Sequence, residues 1–181
     1  MLRNQYSLQY FNSYNAMFQT RSIIIQDLYS NTTKLLKLLC QNFIKPSLLR
    51  DDLSKLVYSY PNNLLPESEV FFGAECEMEI KNLPDSIVFE VRTQCLKCYI
   101  KAAEEISIRL PLNNNIFKEI TFLDSSITLD ASNRSSVKHF PVLTNVFENY
   151  ISPTKLIEEW RELPYFFNKE EINNLKNMSI N

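Results

Sequence analysis

One glycine in 181 residues, Gly73, constrains this chain more than any motif it contains. Glycine serves turns that need positive φ and places where bare backbone must approach a phosphate. A chain with almost none is poorly suited to Rossmann or P-loop chemistry, which depend on glycine-rich turns. Leu, Ile, Asn and Lys are abundant and runs of alternating β-branched residues are few, so helical periodicity dominates. The expected fold is all-α: an irregular multi-helix bundle opened by a long N-terminal helix or helix pair. Hydrophobic residues make up 45% and charged residues 22%, an ordinary globular balance. A chain of this length can bury a core within one domain. The expected organisation is an N-terminal helical arm over 1–45, a helical body over 46–167, and a short terminal helix with a polar tail over 168–181.

In the arm, Phe11, Tyr14, Phe18, Ile25, Leu28, Leu35 and Leu39 recur at three- and four-residue steps, with Arg21 and Thr32 completing the seam. Its weak point is Thr20-Arg21-Ser22. Lys45-Pro46 ends the run, since proline lacks the N–H that a helix interior needs. Asp51 and Asp52 then open a short helix through Leu53, Leu56, Val57 and Tyr60. Another helix starts at Glu67 and carries Val70, Phe71, Ala74 and Met78, with Gly73 inside it. Pro84-Asp85 starts a long helix whose seam is Val88, Val91, Cys95, Cys98, Ala102 and Ile106, closed by Leu110-Pro111. Asn113 to Asn115 caps a short helix carrying Ile116, Phe117, Ile120 and Phe122, and Asp124 to Ser136 reads as an irregular connector. Two helices follow, over Pro141–Tyr150 and Pro153–Leu163, the second with Ser152 as N-cap. Asn168 with Glu171 makes a capping box for the last helix.

Chemically the chain is quiet. The net charge is −2 with mixed signs, so no basic stripe matches a phosphate backbone, and nucleic-acid binding by this chain alone is not expected. No apolar run is long enough to span a membrane, and MLRNQYSLQY lacks a signal-peptide core. Four cysteines without a secretory signal point to reduced intracellular thiols. Cys95-Leu96-Lys97-Cys98 is a C-x-x-C motif. A structural zinc site needs four ligands, and only Cys40, Cys76 and His139 could add to it, so the two thiols read as seam fillers. His139, the one histidine, lies in SSVKHFPVL with no nucleophile motif and reads as a surface or capping residue. The pairs Glu104-Glu105, Glu158-Glu159 and Glu170-Glu171, and Glu75, Glu77 and Glu79, read as solvated helix surface. Asp124 and Asp130 stand in more distinctive settings but lack evident partners. Trp160 and the following Tyr165, Phe166 and Phe167 lie among Glu158, Glu159 and Glu162, which favours core packing over base stacking.

Three blocks occur in an order that is similar to the helical region of hAT-superfamily transposases. They are NNLLPESEVFFGAECE at Asn62–Glu77, RTQCLKCYIKAAEEISIRLPLNNNIFKEITFLD at Arg92–Asp124, and TKLIEEWRELPYF at Thr154–Phe166. The resemblance implies a helical insertion of an RNase H-like core whose acidic triad lies outside this chain. It transfers no catalytic, cofactor-binding or metal-binding residue. It implies a transposon remnant or domesticated protein, not an autonomous enzyme, with at most a protein-association role: self-association or pairing with a related transposase-derived protein. An intracellular, nuclear location follows from the same resemblance. Two other expectations compete with it. One is metal-dependent phosphodiester chemistry at Asp124 or Asp130; the other is a zinc-stabilised interaction module.

Overall fold

The computed structural model describes residues 5–19, 25–50, 52–109, 112 and 114–177. The fold is all-α: among the described residues there is no β-strand, only one isolated antiparallel bridge between Ile44 and Leu64. The chain divides into two compact units. The first comprises residues 1–20 and 31–112; the second comprises residues 21–30 and 113–181.

In the first unit, α1 (Gln5–Phe18) meets the later turns of α2 (Ile25–Cys40) through a hydrogen bond between the Tyr14 and Thr32 hydroxyls. Thr32, Leu35, Leu36, Leu39 and Cys40 are all buried. Of the expected seam, Thr32, Leu35 and Leu39 are buried in this unit, and the polar member Thr32 is paired with the Tyr14 hydroxyl. Ile25 is exposed, and the weak point Thr20-Arg21-Ser22 lies outside the described residues.

After α2 the backbone is held by long-range bonds instead of by helices. Lys45 N–H donates to the Asn63 carbonyl at 3.0 Å, Leu65 N–H to Phe43 at 2.9 Å, and Phe71 N–H to Asn42 at 3.0 Å. Two expected helices shrink as a result. The one after Asp52 is a single 3-10 turn, Leu53–Lys55, and Val57 is exposed. The one from Glu67 is a 3-10 turn, Glu67–Glu69, then extended chain up to Gly73. Gly73 has φ 99°, which a side chain would oppose, and is the N-cap of α3 (Ala74–Ile80). The chain's one glycine thus separates helix from non-helix instead of lying inside a helix.

Helix α4 (Asp85–Arg109) starts as expected, with the Ile87 and Val88 amides bonded to the Pro84 carbonyl. Its buried face departs from the expected seam in the middle of the helix: Ile106 is buried as expected, but Tyr99 and Ala103 are buried where Cys98 is exposed and Ala102 half-buried. The departure follows what the helix faces. Tyr99 lies nearly parallel to both Phe43 (centroids 5.7 Å) and Phe72 (5.8 Å), so a large aromatic ring, not a small thiol, occupies the centre.

The second unit packs five short helices: α5 (Asn115–Thr121), α6 (Ser125–Thr128), α7 (Pro141–Val146), α8 (Pro153–Glu162) and α9 (Lys169–Asn177). Its core is Val137, Phe140, Leu143 and Trp160, flanked by Ile116, Ile120, Phe122, Leu156 and Ile157. Residues 124–136, expected as irregular connector, form α6 and a 3-10 helix, Ala131–Ser135. The capping box at Asn168 is present in full. Asn168 Oδ1 accepts from the Glu170 and Glu171 amides, and Glu171 Oε2 accepts from the Asn168 amide at 2.8 Å.

Candidate functional site

The distinctive aspartates turn out to be backbone caps. Asp124 accepts from the amide and hydroxyl of Ser126 and opens α6. Asp130 accepts from the Ser132 amide at 3.0 Å and hydroxyl at 2.7 Å and opens the following 3-10 helix. Asp52 does the same with Ser54 in the first unit. Each is an Asp-x-Ser unit in which one carboxylate oxygen satisfies an orphan amide of a helix start. Asp124 also has a carboxylate neighbour: burial first, then the charge of Asp124, raises Asp27 above the ordinary carboxylate range. Among the described residues, no group of three or more His, Cys, Asp or Glu side chains is placed to hold a metal ion.

Burial raises the thiols of Cys40, Cys76 and Cys95. Burial pushes Cys95 up to about 11, with Cys76 and Cys98 nearby adding to the effect. Burial pushes Cys40 to about 12. A raised thiol is a poor nucleophile and a poor metal ligand at neutral pH. His139 is exposed on the chain leading to α7.

Glu75, Glu79, Glu158, Glu159, Glu170 and Glu171 are exposed as expected, whereas Glu77, Glu104 and Glu105 are half-buried. Glu77 is half-buried and receives Arg92 Nη2 at 2.6 Å. The other nitrogen, Nη1, donates to the Val70 carbonyl at 3.1 Å, and the guanidinium stands over the Phe72 ring at 5.5 Å. Thr93 bonds Glu67, and Tyr99 donates to the Phe71 carbonyl at 3.0 Å. Successive turns of α4 therefore clamp the extended segment before α3.

Glu119 was not marked by its sequence setting, yet it does structural work. Its carboxylate accepts from the Val142 amide at 3.0 Å and the Leu143 amide at 2.8 Å. Phe140 provides no side-chain cap for α7, and Pro141 has no N–H, so the next two amides take a carboxylate from α5 instead. Pro141 after an apolar residue was the available signal: a helix start without a local cap.

Trp160 is buried, as expected, with its indole N–H donating to the Phe122 carbonyl at 3.0 Å and its ring edge-on to Phe140 at 5.5 Å. Tyr165 and Phe166 behind it are exposed, against the expectation that the whole cluster is core. The other face of Trp160 carries Arg134, whose guanidinium carbon stands 3.9 Å from the ring centroid. Arg134 is 6% exposed, and its Nε, Nη1 and Nη2 find no hydrogen-bond partner among the described residues. Loss of water lowers its proton affinity below the ordinary guanidinium value; Tyr165 opposes the shift, Arg161 adds to it and Asp130 opposes it. Arg161 donates to the Arg134 carbonyl at 3.1 Å, and Lys176 acts on Asp130 from α9. Nothing in the local sequence ASNRSS announced a buried charge.

No family model, curated protein or solved structure matches this chain. No described helix is long and apolar enough to cross a membrane.

Proposed function

We propose that this chain is a helical region derived from a hAT-like transposase, non-catalytic in itself, whose role is association with a second copy or a related transposase-derived protein. The observation that carries the association is the set of large aromatic side chains left uncovered: Tyr150 at 87%, Tyr165 at 74% and Phe166 at 70% exposure. Side chains of this kind are enriched at protein interfaces.

The derivation rests on the three ordered blocks. Residues within those blocks hold each unit: Arg92 and Tyr99 clamp the first, and Trp160 with Asp124 fixes the second. The alternative of phosphodiester chemistry at Asp124 and Asp130 has less support, because one oxygen of each carboxylate already caps a helix.

Size-exclusion chromatography with light scattering tests the association. The expected result is a dimer or larger species that reverts to monomer in the double variant Tyr165→Ser with Phe166→Ser. A monomer across micromolar to high-micromolar concentrations would sink it. The derivation is tested separately by the adjoining reading frame, where RNase H-like strands and a dimerisation segment are expected.

A further inference from the structure

In the first unit, α1 and the later turns of α2 leave a cleft of about 270 Å3 between them. Leu35 is buried and makes its floor; Tyr10, Tyr14 and Leu38 are half-buried and make its walls; Ser13 and Lys34 are exposed at its rim. Packed helices leave few voids larger than a water molecule, and a cavity of about 150 Å3 already holds a benzene ring. An aromatic side chain therefore fits this cleft with room for the stem that carries it. No carboxylate lines the cleft among the described residues, and Lys34 makes no ion pair with them. The occupant that suits it is an aromatic ring with an acid beside it.

The chain carries that combination on its second unit. Glu162 ends α8, the 3-10 turn Leu163–Tyr165 continues it, and the Phe166 amide donates to the Leu163 carbonyl at 3.3 Å. Glu162 is exposed and makes no ion pair with the described residues, and the Phe166 ring is 70% exposed. The acid thus precedes the ring by about one helical turn. On α2, Lys34 precedes Leu38 by the same interval, a separation of about 5–6 Å between side-chain bases.

We infer that Phe166 of one copy enters the α1–α2 cleft of a second copy, with Glu162 of the first paired to Lys34 of the second at the rim. The inference rests on the association reading and assigns its two surfaces. Ring burial between Tyr10, Tyr14 and Leu38 supplies the attraction, and the rim charges fix which end of the segment lies at Lys34.

The test is sedimentation velocity of the full chain over a concentration series. K34E and E162K each set like charges against each other at the rim, and each is expected to weaken self-association about tenfold. Mixed in equal amounts, the two variants should recover native affinity, because each presents the charge that the other's surface requires. S13W places a ring in the cleft from an exposed position and should abolish association, with far-UV circular dichroism checking that the helices persist. Should S13W unfold, the exchange between K34E and E162K carries the test alone. Association that is lost on replacing Tyr165 and Phe166 with serine, yet is untouched by K34E, E162K and S13W, overturns this inference and leaves the association reading standing. So does a mixture of K34E and E162K that associates no better than either variant alone. A native protein that stays monomeric overturns both.

Discussion

Each unit contains an arginine laid over a buried aromatic ring, and the two are finished differently. Arg92 stands over Phe72 with its donors taken by Glu77 and the Val70 carbonyl. Arg134 stands closer over Trp160, yet its donors are taken by no described residue. The ring contact is common to both, so it cannot explain why either charge tolerates burial. Partners decide that. In the first unit the charge is a clamp whose removal strands a carboxylate. In the second it is an unmet demand whose removal strands nothing.

The largest expected effect comes from the ring beneath the clamp. Tyr99→Ala deletes the shared member of the Phe43–Tyr99–Phe72 arrangement, and urea unfolding should show a loss of about 3–5 kcal/mol. Tyr99→Phe keeps the rings and loses only the bond to the Phe71 carbonyl, so about 1 kcal/mol is expected. Equal losses in the two variants would mean that the hydroxyl, not the ring, holds the segment before α3.

Replacing each arginine with methionine should then give opposite signs. Arg92→Met leaves Glu77 half-buried without its cation, and Glu77 Oε1 already lacks a partner among the described residues. A loss of about 1–3 kcal/mol is expected, below the range for fully buried pairs because both side chains keep some exposure. Arg134→Met forfeits a cation–π contact of about 0.5–2 kcal/mol and relieves a buried charge whose desolvation is worth several. Its stability should equal or exceed the native value by up to about 2 kcal/mol. Two losses of similar size would show that Arg134 has a structural partner like the one Arg92 has.

The contrast between the two arginines also marks what was legible in the sequence. Several helix starts were readable where the signal is local: Pro84 before α4, Asn114 before α5, and the Asn168–Glu171 box before α9, although the equally local Asp124 and Asp130 caps were read as connector and Ser152 makes no side-chain cap bond before α8. Short-range chemistry fixes those, and it is written within four residues. The Gly73 break was misplaced because positive φ depends on where the chain must turn to meet Asn42 and Phe43, not on its neighbours. The same reason moved the middle of the α4 seam from Cys98 to Tyr99: periodicity gives a face, and the opposing rings select it. Arg134 was invisible because burial of a charge is a property of the fold, and serine-rich ASNRSS looks like any solvated turn. Glu119 was missed likewise, as a cap supplied 23 residues away from the amide it satisfies.

The smallest effects are pH-dependent, and two aspartates of the second unit should oppose each other. The Ser132 hydroxyl and amide hold Asp130 below the ordinary carboxylate range, with Lys176 and Arg134 helping. Its folded value is depressed, so its contribution is complete above the unfolded value near 3.8 and is lost as pH falls through the folded one. Asp130→Asn should flatten the acid limb of a Tm profile below about pH 4. Asp27 runs the other way: burial and Asp124 raise it, so its ionised form penalises the fold above its folded value. Asp27→Asn should raise Tm at neutral pH, with the gain fading as pH drops toward 3.8. Because the two shifts have opposite sign, the double variant should restore a neutral-pH gain while keeping the flattened acid limb. If Asp27→Asn instead lowers Tm at neutral pH, the favourable charge of an acid in the first turn of α2 outweighs its desolvation. The coupling between Asp27 and Asp124 would then be weaker than the pull of the helix end.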